Sequence, residues 1–408
     1  MKSILLASTA LVAFAGMAAA DGHTSISFSM ETTLGYNDTQ SNRTLVPDDT
    51  ATADVDESED NDDFDNELGF YWEGNLKTTA SAELDNGLTA GAYFEITVAE
   101  DNNDINDDGG IDLSSSDFVL SLEAANGGLF FGDTGVAADQ YWKSAGDMEA
   151  DGVTTATDSA VIRGDLDAGN YKASVSYIVN DAYDDDGDAD VDDNDPLEQL
   201  AFGAEADFGV VTLTAAYQEE TDFEDGSGDF NADEIYGVSA EGTFGGATIT
   251  LAYAENTTDE EQSLGVKVAY PFGPVTATAY YVDESDEVTD DELADDPAAE
   301  ANEEANFGIN VAYADGPFAV EVDYQDDQGD EKWSLEGSYD VGNGLTLFAG
   351  VLNENEEDED FFVAATYDLG GGAELLVSYA EDDDASQEDE IGGDEYQEGT
   401  TVELTFSF

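Results

Sequence analysis

The side chains best suited to chemistry in this sequence are carboxylates, and one stretch has the spacing of a calcium-binding loop. Asp104, Asn106 and Asp108 alternate before a glycine, and Asp112 follows further along. Oxygen donors at alternate positions, with a glycine at the sharp bend, suit the geometry of Ca²⁺. The twelfth position of the pattern is Ser115 instead of glutamate, and in so acidic a chain such a match arises easily. These four oxygen donors are the candidate ligands for Ca²⁺, the one cofactor that the sequence suggests.

Catalysis has little support in the sequence. The single histidine, His23, lies near the start of the chain, so a Ser-His-Asp arrangement elsewhere would lack its base. Carboxylate pairs occur throughout, so none of them is diagnostic, and counting alone leaves glycosidase-type chemistry open without indicating a pocket. We therefore predict that the protein is not an enzyme.

The charge of the chain excludes one class of partner. Its 408 residues include 99 acidic and 8 basic side chains, with a formal net charge of −91 and no cysteine. Nucleic-acid binding needs clustered lysine and arginine, so we predict no nucleic-acid partner. High charge can also indicate disorder. However, 41% of the residues are hydrophobic, and these are concentrated in alternating segments separated by the acidic runs. The acidic runs are typical of a solvated outer surface and also fit a saline habitat.

The N-terminus has the features of a secretory signal. A lysine at position 2 precedes an apolar run, Ile4–Gly16, and three small residues, Ala18–Ala20, follow. The alternative of a membrane anchor is weak, because the run is shorter than the ~20 residues that a spanning helix needs. We predict a signal peptide at residues 1–20 and one barrel domain at 21–408.

A hairpin pattern recurs nine times along the chain. An alternating strand meets a short glycine-containing turn and continues into another alternating strand, most clearly at Leu264–Tyr280 and Phe361–Tyr379. The other end of most hairpins is a long acidic connection. Short turns at one end and long loops at the other are typical of outer-membrane barrels. The fold class predicted is all-β, a transmembrane antiparallel up-and-down β-barrel. Nine hairpins and two terminal strands give about 20 strands, with 16–20 as the plausible range.

The few cations within strands all occupy the polar alternate positions. A charge that faces lipid costs a few kcal/mol near the midplane, so these positions are expected to face the lumen. The cations could line a charged passage, or only neutralise inward carboxylates; the two interpretations are compatible. The predicted lumen wall contains Glu73, Lys77, Arg163, Asp165, Lys172, Lys267 and Lys332.

The last strand ends in Phe406, Ser407 and Phe408, and resembles the terminal signature of outer-membrane porins. Together with Gly128–Asp133, Tyr367–Gly372 and the N-terminal signal, it is similar to Gram-negative general porins of the Rhodobacter type. This resemblance implies a homotrimer in the outer membrane of a Gram-negative bacterium, in contact with lipid. It also implies that small hydrophilic solutes pass through, and that Phe406 and Phe408 close the barrel and are read by the barrel assembly machinery. Such porins have roughly sixteen strands.

In that family the loop after the fifth strand folds into the barrel and narrows it. Here Thr134–Asp158 occupies that place, although an outer loop with an aromatic pair is the alternative. The predicted constriction residues are Asp139, Tyr141, Trp142, Lys143, Asp147, Glu149 and Asp151.

These observations together predict a water-filled channel for passive diffusion, with cation selectivity because carboxylates at lumen positions outnumber the cations. Two rival functions stay open. The first is a Ca²⁺-binding acidic surface or adhesion barrel. The second is a substrate-specific sugar channel, because wide barrels often contain ordered binding tracks.

Overall fold

The structure is a computed structural model that describes residues 24–38, 69–100, 111–114, 117–179, 197–223, 227–286, 305–353, 360–381, 391–392 and 396–408. The predicted signal peptide lies outside these residues and remains a prediction. The described residues form a single sheet in which neighbouring strands pair antiparallel. The strands are β1 (Thr24–Asn37), β2 (Phe70–Glu83), β3 (Thr89–Glu100), β4 (Ile111–Ser114), β5 (Phe118–Ala124), β6 (Gly127–Gly132), β7 (Ala160–Asp167), β8 (Tyr171–Val179), β9 (Leu197–Asp207), β10 (Val211–Gln218), β11 (Ile235–Phe244), β12 (Ala247–Asn256), β13 (Glu261–Phe272), β14 (Val275–Asp286), β15 (Ala305–Asp315), β16 (Phe318–Asp327), β17 (Asp330–Gly342), β18 (Leu345–Asn353), β19 (Asp360–Gly370), β20 (Ala373–Glu381) and β21 (Gly399–Ser407).

The sheet closes on itself, because β1 pairs with β2 on one side and with β21 on the other. The short β4 and the longer β5 both pair with β3 and together occupy one position in the wall. The result is a closed antiparallel barrel of twenty strand positions. The predicted fold class and the estimate of about 20 strands are therefore confirmed.

The two ends of the barrel differ as the hairpin pattern predicts. At one end, strands meet in short turns, and Gly209 and Gly273 adopt φ values of 83° and 65° there. Glycine reaches this left-handed region without a steric penalty, which explains its recurrence in the turns. At the other end, the connections are long and acidic, except for the turns at Thr257–Glu260 and Gln328–Gly329, which are as short as those of the first end.

The two faces of the wall have opposite character. Val238, Leu251 and Leu264 lie on neighbouring strands and expose 52%, 53% and 58% of their surface on the outside. Ser239, which follows Val238, and Ser263, which precedes Leu264, are buried on the inside. A continuous apolar outer face is stable when lipid replaces water as the solvent.

Tyrosines mark the outer rim of this apolar face. Tyr217 donates a hydrogen bond to Glu234 at 2.9 Å, and Tyr324 donates one to Glu331 at 3.0 Å. Tyr253 similarly bonds to Glu255. A ring with an apolar body and a polar tip suits the boundary between lipid and water, which is where aromatic girdles occur in membrane barrels.

Most of the buried core lies inside the barrel, where the chain between β6 and β7 packs against the inner wall. Among the described residues, the one helical element is a 3₁₀ turn at Glu149–Asp151 in this part of the chain. Within the described part of the chain, no helix combines the length and apolar character needed to cross a membrane.

Candidate functional site

A loop of residues 133–159 leaves the wall after β6, the fifth strand position, and returns to it at β7. We call it the inserted loop. Between these points its residues contact inward-facing side chains of β8 to β15. Because these strands form almost half of the ring, the loop lies across a wide sector of the lumen.

Small residues on the inner wall make room for the loop. A methyl group added at Gly203 would overlap the Ala137 carbonyl oxygen, and one at Gly237 would overlap the Trp142 ring. At Gly265 it would lie 2.9 Å from the Ala145 Cβ. These glycines lie on β9, β11 and β13, so every second strand in this sector presents a bare backbone to the loop.

Apolar side chains of the loop bury themselves against the wall in two clusters. Fully burying an aliphatic side chain contributes about 1.5–3 kcal/mol, so several such residues hold the loop firmly. The first cluster joins Val136, Ala137, Ala138 and Val153 of the loop to Val161, Ile178, Ala201, Ala216 and Ile235 of the wall. The second joins Ala145, Met148 and Ala150 of the loop to Ala252, Ala254 and Val282 of the wall. Trp142 packs against both.

Polar ties fix the returning half of the loop. The Thr154 amide donates to Gln218 Oε1 at 2.8 Å, and Asn231 Nδ2 donates to the Gly152 carbonyl at 2.8 Å. Further back, the Ala150 amide donates to Ser263 Oγ at 3.0 Å. Buried backbone groups need such partners in place of water, so the loop keeps one position on the wall.

Asp151 is the most perturbed carboxyl of the inserted loop. Its Oδ2 accepts a hydrogen bond from Trp142 Nε1 at 2.9 Å. The pKa of this carboxyl is raised to about 6, chiefly by burial and in smaller part by the charges of Asp147 and Glu149. The Trp142 hydrogen bond and the positive charge of Lys267 act in the opposite direction. The Asp151 charge therefore changes close to neutral pH, inside the passage.

The other predicted constriction residues have these positions. Asp139 and Glu149 are exposed to the lumen, and Lys143 Nζ reaches Glu241 Oε1 at 3.5 Å. Tyr141 lies against Gly203, and the Asp147 carbonyl accepts a hydrogen bond from Asn306 Nδ2 at 3.2 Å. All seven residues of this set therefore lie in the inserted loop, with some against the inner wall and others exposed in the lumen.

Most cations of the lumen wall are held by a carboxylate beside them. The pairs and their N–O distances are Lys77–Glu95 at 3.3 Å, Arg163–Asp165 at 3.1 Å, Lys172–Glu205 at 2.8 Å and Lys332–Asp327 at 3.1 Å. Lys77 and Lys172 stand directly opposite their partners on the next strand. Lys267 projects inward beside the inserted loop, where its charge acts on Asp151. The positive charges of the lumen wall are therefore largely balanced by neighbouring carboxylates.

Other inward carboxylates receive hydrogen bonds from neutral donors. Asn75 Nδ2 donates to Glu73 Oε1 at 2.6 Å, Ser121 Oγ donates to Glu123 Oε1 at 3.0 Å, and Asn310 Nδ2 donates to Glu321 Oε1 at 2.6 Å. Neutral donors stabilise an ionised carboxylate without cancelling its charge. The described lumen therefore carries a negative excess.

Sequence reasoning missed the wall that receives the loop. The glycines at 203, 237 and 265 read as ordinary strand residues, although a glycine inside a strand is a recognised signal of close backbone approach. Their position on inward parity, next to small or hydroxyl residues, was the available clue.

The candidate Ca²⁺ ligands lie mostly beyond what the structure describes. Asp104, Asn106 and Asp108 are outside the described residues, and for Asp112 only the backbone within β4 is described. Among the described residues, no cluster of three or more histidine, cysteine or acidic side chains has metal-binding geometry.

A closed membrane barrel with a loop folded into a polar lumen defines a transmembrane channel. The profile of the Gram-negative porin family matches residues 7–385, nearly the whole chain. The chain therefore belongs to the Gram-negative porin family, whose members are non-enzymatic channels of the outer membrane.

Solved structures of one bacterial porin are similar to this chain. A multiple mutant of the Rh. blastica porin is 13% identical, with a TM-score of 0.41, and the alignment covers 94% of this chain and 100% of that one. A triple mutant of the Rhodopseudomonas blastica porin gives the same identity, coverage and TM-score. None of the curated proteins matches this chain.

Proposed function

We propose that this porin is a cation-preferring channel through which small hydrophilic solutes diffuse passively. The observation that carries the cation preference is the pairing pattern of the lumen. The wall lysines and arginine are mostly bound to carboxylates, while Glu73, Glu123 and Glu321 keep their charge beside neutral donors. A charged wall of low dielectric concentrates counter-ions in the passage.

The resemblance supports the remaining parts of this proposal. Assembly as a homotrimer, and recognition of the last strand by the barrel assembly machinery, are the expectations for a porin of this kind. Specific Ca²⁺ binding at Asp104–Asp112 stays a separate proposal, which calcium titration of the folded protein would test.

We expect the reversal potential in a salt gradient to show cation preference, which weakens as salt rises. The screening length falls from about 10 Å at 0.1 M to about 3 Å at 1 M, so the wall charges act on permeating ions mainly at low salt. Replacing Glu73, Glu123 and Glu321 with glutamine is expected to reduce the preference.

The matched control is Glu255→Gln, because Glu255 faces outward and bonds to Tyr236 and Tyr253. It is expected to leave selectivity unchanged. Anion preference at low salt in the parent protein would contradict the proposal.

We also expect the cation preference to decrease on acidification, with one component centred near pH 6. Asp151 is ionised at about pH 7 and mostly neutral at about pH 5, because its pKa is raised to about 6. The folded state binds the Asp151 proton more tightly than the unfolded chain does. Acidification therefore stabilises the packing of the inserted loop on the wall, while the negative charge of Asp151 is lost.

Reversal potentials measured across this pH range test the assignment. Asp151→Asn is expected to remove the pH-dependent component near pH 6. Glu73→Gln is expected to lower the cation preference but to retain that component. A component of full size in Asp151→Asn would show that Asp151 is not the group that titrates near pH 6.

A further inference from the structure

The end of the last outer connection, between β20 and β21, also lies inside the barrel. Ile391 is 2% exposed, and it is among the largest fully buried side chains of the described residues. The Tyr396 ring lies 4.7 Å from the Phe362 ring, between centroids. We call Ile391, Gly392 and Tyr396 the terminal-loop insert.

The inner face of the wall beneath this insert includes several buried apolar side chains. Phe362 is buried, while its neighbours Phe361 and Val363 are exposed on the outside. Leu352 on β18 and Ala380 on β20 are likewise buried. Apolar side chains on a lumen face would otherwise lie in water, so another part of the chain that covers them stabilises this sector.

Gly392 fits the backbone closely against this wall. A methyl group added there would lie 2.9 Å from Glu336 Oε1 and 3.7 Å from Leu352 Cδ2. The φ of Gly392 is 112°, a value that residues with a side chain rarely adopt. Both the space and the backbone conformation therefore favour glycine next to the buried Ile391.

The chain that follows the insert is tied to the rim. Asn37 Nδ2 donates to the Glu398 carbonyl at 2.8 Å, and Glu398 forms a parallel bridge with Ala380. The Asp38 amide donates to the Thr400 carbonyl at 3.2 Å. These bonds fix the chain to β20 and β1 around the start of β21.

The burial of Ile391 is unusual for the sequence in which it lies. Ile391 stands between the acidic runs Glu388–Glu390 and Asp394–Glu395. Carboxylates favour water, so a buried isoleucine between two such runs indicates a specific seat.

We propose that the terminal-loop insert is a second fixed element of the constriction. It occupies the sector of β17 to β20, whereas the inserted loop occupies β8 to β15. The passage is therefore narrowed from two sectors of the wall, and its size limit depends on both loops. The expected effect on conduction rests on the proposed channel function. The buried position of Ile391 is independent of that function.

Thiol labelling tests the position without measuring transport. The chain has no cysteine, so Ile391→Cys carries a single thiol. A membrane-impermeant maleimide is expected to label it roughly tenfold more slowly than Glu260→Cys, because Glu260 lies in an exposed outer turn and labelling of a buried site needs local opening. Equal rates in the folded proteins would overturn the inference.

Single-channel conductance tests the effect. Ile391→Asn adds no charge but places a polar side chain in an apolar contact, so the insert is expected to leave the wall. We expect conductance to rise roughly 1.5-fold, because ion flow follows the open cross-section. Ile391→Val keeps the seat and is expected to conduct like the parent. Phe362→Ala removes the wall side of the same contact and is expected to act like Ile391→Asn.

Heat-modifiable migration on gels shows that each variant has folded. Unchanged conductance in folded Ile391→Asn and Phe362→Ala would overturn the inference and leave the channel function standing. Absence of conductance in the parent protein would instead contradict the proposed function, whatever the labelling rates show.

Discussion

Replacing Tyr141–Glu149 with a short glycine–serine linker is expected to raise single-channel conductance about twofold, because this stretch lies across the lumen. The replacement removes Trp142 and Met148, which pack on β11 and β13, but keeps the first apolar cluster of the loop. The barrel wall is unaffected, since its hydrogen bonds run between strands. Planar-bilayer recording measures the change.

A cross-linked variant provides the control. Ala145→Cys combined with Gly265→Cys places two thiols across the contact between loop and wall, where the existing Cβ and the added Cβ would be 2.9 Å apart. A disulfide needs about 3.8 Å, so a shift of about 1 Å suffices. Oxidation is expected to leave conductance at the parent level. Parent-level conductance in the shortened, folded variant would place the loop outside the ion path.

Deleting Phe408 is expected to reduce the amount of folded barrel in the outer membrane several-fold. The Phe408 amide donates to the Met30 carbonyl at 2.8 Å, and the Met30 amide donates to the Phe408 carbonyl at 3.2 Å. These two bonds end the seam at which β21 closes on β1. The Phe408 ring also stacks on Phe406, with 6.4 Å between ring centroids. The deletion removes the last backbone pair of the seam and an aromatic residue of the lipid-facing rim.

Phe408→Tyr is the matched variant, because it keeps the aromatic ring and both backbone bonds. It is expected to assemble at nearly the parent level. Quantitative gels of isolated outer membranes, with and without heating, measure the folded fraction. Normal levels of the heat-modifiable form after deletion of Phe408 would show that the terminal aromatic residue is dispensable for closure.

The strands could be predicted because each one is determined locally. In β13, apolar Leu264, Val266 and Val268 alternate with Gly265 and Lys267, and the same parity later defines the outer and inner faces. Turns such as Asp85–Gly87 contain glycine where the backbone needs φ near 83°. Alternation and turn chemistry depend only on neighbours in the chain, so they can be read from the sequence.

The sequence predicted where the inserted loop lies along the chain, but not which residues of the wall it contacts. Its position after the fifth strand came from the family resemblance, and the aromatic pair Tyr141–Trp142 suggested a packed segment. The partners of the pair, Gly203 and Gly237, lie on strands that do not pair with each other. Local patterns carry no information about which distant strands face one loop.

The sequence by itself determined that the chain alternates, where it turns and which parity faces lipid, because these depend on short-range geometry. It also determined the excess of carboxylates over cations. Only the tertiary structure decided that Lys77 and Lys172 are bound by Glu95 and Glu205, since this depends on the register between strands. It also decided that Ile391, within an acidic run, is buried against the inner wall. The physical reason is that these contacts join residues on different strands and loops, so their pairing and burial depend on how the whole barrel is assembled.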